Sequence, residues 1–262
     1  MAEQRSEKMT MSAKGMLSGK TVLVTAAAGT GIGFATARRC AEEGARVALS
    51  DRHERRLAES AEALAEYYGA PPPAIVCDVT QEEQVRACVD AAIGAFGHLD
   101  VLVNNAGLGG YAKVVEMSDA QWHQVLDVTL TSTFRMTRAV LPHMLARGRG
   151  AIVNNASVLG WRAQEGQSHY AAAKAGVMAF TRCAAIEAAE HNVRINAVSP
   201  SLAMHPHLAK VTPDETLKEL TGREAFGRAA ETWEVANVII FLASDLSSYM
   251  TGEIVSVSSQ RA

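Results

Sequence analysis

Tyr170 and Lys174 stand four residues apart in S-H-Y-A-A-A-K, an Ala-rich run whose natural local form is a helix, so both share one helical face. A free phenol titrates near pH 10, roughly, and is a poor acid or base at neutrality. An ammonium beside it favours the phenolate and is expected to lower that value toward the working range. Ser157 lies far enough back for a loop to fold its hydroxyl over the same face. That hydroxyl could hold a carbonyl or alkoxide oxygen while Tyr170 exchanges a proton with it. The chemistry implied is carbonyl reduction or alcohol oxidation. Y-x-x-x-K alone also arises by accident on amphipathic helices, and the rest of the chain decides.

The elements that must position these groups are legible around them. Ala151–Asn154 is expected to be a strand delivering Ser157 at its carboxyl end, and the Tyr170 helix to run to about Glu190. Near the start, the β-branched run Thr21–Thr25 opens into A-A-A-G-T-G-I-G, a helix follows to about Gly44, and Arg46–Ser50 is a second buried strand. A strand, glycine turn and helix in this order place a pyrophosphate at the helix N-terminus. Thr25, Gly29, Gly31, Ile32 and Gly33 are therefore candidate cofactor contacts.

Asp51 follows the second strand, where an acid grips the adenosine ribose hydroxyls and repels a 2′-phosphate, which favours NAD over NADP. The neighbouring Arg52 could instead receive that phosphate, so NADP stays open. Asp51 could also simply cap a helix over His53–Tyr68.

Pro71 to Pro73 mark a loop before a strand at Ala74–Cys77, after which Asp78 and Val79 could contact an adenine. Thr80–Phe96 reads as a helix with Thr80 as N-cap and Glu83 at the capping-box spacing. Leu99–Val103 is a strand closing on N-N-A-G, where Asn105, Ala106 and Gly107 are further cofactor candidates. A long helix is expected over Asp119–Leu141, a strand over Val193–Val198, a helix over Trp233–Ala243 and a closing strand at Ile254–Val257. The segment 202–226, with His205 and His207, reads as a lid over the site; these histidines and His169 are expected to face solvent. Short apolar strands alternating with amphipathic helices predict an α/β fold: one doubly wound parallel sheet of Rossmann type with helices on both faces. Residues 1–16 read as a mobile tail and 17–262 as a single domain.

At 262 residues with a net charge of -3, the chain suits one sizeable domain and lacks the basic excess of a nucleic-acid binder. No apolar run reaches membrane-spanning length, and the N-terminal residues lack the apolar core of a secretory signal. Cys40, Cys77, Cys88 and Cys183 are expected to be buried free thiols of a cytoplasmic protein, and no cluster has metal-ligand spacing.

From Leu17 to Val257 these motifs together resemble the short-chain dehydrogenase/reductase family: the glycine loop, Asp78-Val79, N-N-A-G, Ser157, Tyr170-x-x-x-Lys174, N-A-V-S-P ending at Pro200, and F-L-A-S-D. The resemblance implies that Tyr170 is the general acid/base, that Ser157 orients the substrate oxygen, and that Lys174 also holds the nicotinamide ribose. It implies a homotetramer or homodimer packed through the long helix and the Tyr170 helix. Departures stand out. The family loop T-G-x-x-x-G-x-G becomes Thr25-Ala26 followed by one extra residue, so Gly29 is expected to take over a close approach. The Asn that completes the family's catalytic set is replaced by Thr129, whose hydroxyl could still bind a relay water. Pro200-Ser201 replaces Pro-Gly, and His205 stands where a Thr holds the carboxamide.

A-A-A-G-T-G-I-G with N-N-A-S-V-L-G-W-R-A-Q resembles a branch of the family acting on a steroid-derived bicyclic indane carboxyl-CoA thioester. Trp161 and Arg162 could meet its ring and its carboxyl or CoA phosphates, or form a subunit contact. Two other readings stay open: a 3-oxoacyl-thioester reductase, and an NAD-binding protein without turnover.

Overall fold

The computed structural model describes residues 15–204 and 214–259. In chain order the strands are β1 (Thr21–Thr25), β2 (Arg46–Asp51), β3 (Ala74–Val76), β4 (Val101–Asn104), β5 (Gly150–Asn155), β6 (Val193–Pro200), β7 (Ala203–Met204), β8 (Ala230–Glu231) and β9 (Ile254–Val257). Seven of them form one parallel sheet in the order β3-β2-β1-β4-β5-β6-β9, and β7 pairs separately with β8. The helices are α1 (Ile32–Glu42), α2 (Glu54–Ala63), α3 (Ala65–Tyr68), α4 (Glu82–Phe96), α5 (Asp119–Leu126), α6 (Ser132–Arg147), α7 (Ser168–Ala189), α8 (Asp214–Gly222) and α9 (Thr232–Ala243).

β1 shows why the sheet is doubly covered. Its five residues are all buried, and alternate side chains go to opposite faces. Val22 and Val24 join the core under α1, α2 and α9, with Ala37, Leu57 and Ile239. Leu23 joins the other core under α4, α6 and α7, with Val89, Met136 and Ala184. A strand buried on both faces needs a continuous apolar run, which T-V-L-V-T supplies.

Several boundaries differ from expectation for local reasons. The long helix is two: Asp127–Thr131 between α5 and α6 is a π-turn, and α6 runs on through Pro142 to Arg147. The hydroxyls of Ser132 and Thr133 donate back to the carbonyls of Val128 and Thr129, competing with the regular ladder there. Thr80 is not the cap of α4. Its hydroxyl donates to Asp78 Oδ1, and Gln81 takes the N-cap place without a side-chain bond.

Gly15 and Met16, expected in a mobile tail, donate both amides to the Glu43 carboxylate; residues 1–14 lie outside the described residues. Within 202–226, read as a lid, β7 and α8 are formed, and the stretch 205–213, with both its histidines, lies outside the described residues. Cys40, Cys77 and Cys88 are buried, whereas Cys183 is exposed on α7.

Candidate active site

The sheet order reverses between β1 and β4, and that reversal opens a cleft at the strands' carboxyl ends. Thr25, at the end of β1, accepts from the amides of Asn105 and Ala106 through Oγ1, tying the glycine loop to the loop after β4. Asn105 donates to the Ala26 carbonyl, and its own Oδ1 accepts from Asn155, so three strand ends are linked. A Cβ on Gly33 would sit 2.2 Å from the Ala26 carbonyl oxygen, so only glycine lets α1 approach β1 this closely. Gly31 caps α1 without a side-chain bond, and a Cβ on Gly29 or Gly31 would meet nothing within 4 Å. The N-terminus of α1 thus presents unpaired amides beside open space, a cradle suited to a pyrophosphate.

Asp51 ends β2 and accepts from the amides of Ala28 at 3.2 Å and His53 at 3.0 Å. It is not the N-cap of α2; His53 is. Asp78 and Val79 follow β3, with Asp78 Oδ1 accepting from the Thr80 amide and hydroxyl. Pro200 is the last residue of β6, in the same row of strand ends.

At the far side of the cleft, β5 ends at Asn155 and the chain turns through Ser157, which caps a short 3₁₀ turn and is nearly buried. Tyr170 and Lys174 lie on the first turns of α7, and the Tyr170 phenol is near enough to Ser157 for that hydroxyl to favour its ionised form. Lys174 is 3% exposed and its ammonium donates to the Asn155 carbonyl at 2.5 Å. It lies 5.5 Å from the centroid of the Tyr170 ring.

The expected direction of the Tyr170 shift is not what this arrangement produces. Burial pushes its phenol up to about 12, and the Ser157 hydroxyl pulls back only in part. Burial also brings Lys174 down to about 8. Desolvation of the charged form dominates at both groups, and neither shift draws on the other group: the ammonium is turned to a carbonyl and not to the phenol oxygen.

Thr129 is fully buried in the π-turn. Its Oγ1 accepts from the Leu108 amide at 3.0 Å and donates to the Leu108 carbonyl at 3.3 Å. Both bonds hold the loop after β4, where a Cβ on Gly107 would come within 3.3 Å of Lys174 Nζ.

The family model described as enoyl-(acyl carrier protein) reductase matches residues 26–259. A short-chain dehydrogenase structure from Mycobacterium smegmatis is 59% identical, with a TM-score of 0.84, covering 96% of this chain and 97% of that one.

This chain belongs to the short-chain dehydrogenase/reductase family.

A Mycobacterium tuberculosis relative, (5R,7aS)-5-hydroxy-7a-methyl-1-oxo-2,3,5,6,7,7a-hexahydro-1H-indene-carboxyl-CoA reductase, is 62% identical over 94% of each chain. A 3-oxoacyl-(acyl-carrier-protein) reductase from Thermotoga maritima is 39% identical over 92% of this chain and 97% of its own. As a member of the short-chain dehydrogenase/reductase family the chain is an oxidoreductase acting on CH–OH groups with a nicotinamide dinucleotide, NAD(P), and the cleft fits that group.

Against that family pattern, Ala26 keeps the left-handed backbone, φ 49°, that the family's glycine adopts without a Cβ penalty. His169, expected to face solvent, is 2% exposed and packs against Gly110, with its Nδ1 lacking a partner. Trp161 is 52% exposed beside Ser157. The Asn155 carbonyl and the Leu108 backbone were not foreseeable, since main-chain groups carry no residue-type signal. Among the described residues no His/Cys/Asp/Glu group could hold a metal, and no helix is long and apolar enough to cross a membrane.

Proposed function

We propose that this protein is an NADH-dependent reductase of a ring ketone on a bicyclic hydroindane carboxyl-CoA thioester, giving the secondary alcohol. The observation that carries the chemistry is a half-buried phenol on the first turns of α7, beside Ser157 and with the Lys174 ammonium 5.5 Å from its ring centroid; desolvation pushes it up to about 12, so it rests protonated. A protonated donor suits carbonyl reduction. The bicyclic CoA thioester comes from the 62%-identical relative, whose name states that substrate class.

In this reading the substrate oxygen rests between Ser157 and Tyr170, and Tyr170 gives its proton to that oxygen as it becomes an alkoxide. The hydride itself is the chemistry that a bound nicotinamide supplies. Ser157 donates to the same oxygen. Lys174, anchored on Asn155, stabilises the phenolate left behind and holds the ribose of the nucleotide. Thr129 acts on the loop after β4, not on a relay water, since its one proton goes to the Leu108 carbonyl, it accepts from the Leu108 amide, and the side chain is fully buried. Asp51 presents a carboxylate where a 2′-phosphate would lie, which favours NADH.

Three further elements belong to this proposal. Phe134 and Ile186, exposed on α6 and α7, support pairing of subunits through that face in a homodimer or homotetramer. The three buried thiols suit a reducing cytoplasm. The third is a cover over substrate formed by the described elements of that segment, β7 and α8.

The test is turnover of a hydroindane ketone CoA thioester and of acetoacetyl-CoA, each with NADH and with NADPH. The bicyclic substrate with NADH is expected to give a kcat/KM at least about tenfold above the other pairs. Acetoacetyl-CoA with NADPH leading would instead make the protein a 3-oxoacyl-thioester reductase. NADH binding with no turnover of any ketone would make it a nucleotide-binding protein.

A further inference from the structure

The glycine loop of this chain is one residue longer than the family pattern, and the structure shows where the extra length is secured. Three consecutive amides are tied to the β2–α2 region. Ala27 donates to the Ser50 carbonyl at 3.0 Å, Ala28 to Asp51 Oδ2 at 3.2 Å, and Gly29 to Ser60 Oγ at 2.9 Å. Ser60 lies on α2, 31 positions along the chain from Gly29, and is 5% exposed. Gly29 itself sits at φ 91°, a conformation that glycine adopts without strain.

Those amides are therefore unavailable to a phosphate, although Gly29 stands in the stretch where the family's loop meets one. The open amides are the ones that follow, at the uncapped N-terminus of α1. A loop with an added residue would otherwise be freer, and ordering it on binding would cost conformational entropy. Fastening Gly29 to α2 removes that cost in advance.

We propose that Ser60 is a cofactor-positioning residue: with Asp51 it pins the lengthened loop to α2 and so presents the N-terminus of α1 to the dinucleotide pyrophosphate. Asp51 then has two separable tasks. Its charge discriminates between NADH and NADPH, and its Oδ2 accepts from Ala28 whatever nucleotide is bound. This rests on the NAD(P) site described above.

Ser60→Ala tests the pin without endangering the helix, because alanine is the stronger helix former. Direct titration of the purified protein with NADH, by fluorescence energy transfer, is expected to show about tenfold weaker binding in Ser60→Ala. KM for NADH rises in step, kcat at saturating NADH is kept, and the melting temperature without nucleotide is within about 3 °C of wild type. A purely structural serine would do the reverse, lowering the melting temperature with NADH affinity untouched.

Asp51→Asn and Asp51→Ala separate the two tasks. The amide oxygen of Asn still accepts from Ala28, while its NH2 then faces the His53 amide that Asp51 Oδ1 accepts from, so Asp51→Asn is expected to lose discrimination and to bind NADH more weakly than wild type but at least about threefold more tightly than Asp51→Ala. Asp51→Ala loses discrimination and also weakens both nucleotides by about tenfold. The proposal is overturned if wild type binds NADH and Ser60→Ala binds it equally well, or if Asp51→Ala and Asp51→Asn are indistinguishable. Failure of wild type to bind either nucleotide would instead sink the NAD(P) site itself.

Discussion

The Lys174 ammonium donates to the Asn155 carbonyl, not to the phenol one turn behind it on α7. The resting site is thus a neutral Tyr170, next to Ser157 and beside a cation held in reserve on a strand end. Its electrostatic work begins when the phenol has given up its proton. Charge then develops where none stood before, and a fixed cation in a desolvated site stabilises it without rearranging water.

This order of events sets a pH dependence. Lys174 is brought down to about 8 by burial, so its charge is present below that value and lost above it, while Tyr170 stays protonated to about 12. Ketone reduction at saturating NADH is expected to be flat from pH 6 to 7 and to fall as pH rises through about 8. A rate still rising at pH 9 would show that Lys174 is not the titrating group.

The same burial makes Lys174 a liability for folding. Its value falls from 10.5 in the unfolded chain to about 8 in the fold, so the native state disfavours the proton and stability rises with pH between those limits. The penalty below pH 8 is about 3 kcal/mol. Lys174→Met also strips the Asn155 carbonyl of its donor, at about 1–3 kcal/mol, so it is expected to be inactive and to lose stability relative to wild type as pH rises from about 8 to 10.5. Thermal melts across pH check this, and a difference between mutant and wild type that is the same at pH 7 and at pH 10.5 would contradict it.

Gly33 is expected to tolerate no side chain. A methyl there would lie 2.2 Å from the Ala26 carbonyl and 2.5 Å from Asn105 Nδ2, both in the network joining β1, β4 and β5. Gly33→Ala should lose NADH binding by more than about a hundredfold, because α1 must move away from the strand end. Gly31→Ala, with open space at its Cα, should fold normally, and melts of the two variants distinguish them.

How much of this was legible in the sequence follows from where each signal resides. β1 and α7 were readable because one needs an unbroken apolar run and the other an Ala-rich one. Ser157, Tyr170 and Lys174 were readable because their side chains carry the chemistry and their spacing follows the helical period. The π-turn was hidden, since it depends on hydroxyls of Ser132 and Thr133 returning to carbonyls, a bond that the residue types permit but do not require. The direction of the Tyr170 shift was hidden too. Proximity along a helix says nothing about desolvation, and here desolvation prevails. Asn155 was present in N-N-A-S, but its part is played by a carbonyl that any residue would have.

Thr129 gives the sharpest contrast with the family's Asn. Its hydroxyl satisfies both main-chain groups of Leu108, so Thr129→Val leaves them unpaired and is expected to cost about 1–3 kcal/mol of stability and to lower kcat. Thr129→Ser keeps the bonds and should retain most activity. Chemical denaturation with steady-state kinetics reads both. Equal kcat for the Ser and Val variants would show that the hydroxyl does not matter.

The most direct measurement is NADH-dependent reduction of the hydroindane ketone CoA thioester by Tyr170→Phe, which removes one oxygen and keeps the ring. The predicted result is a kcat reduced by about a thousandfold or more, with NADH affinity within about threefold of wild type. Turnover within tenfold of wild type would contradict the account.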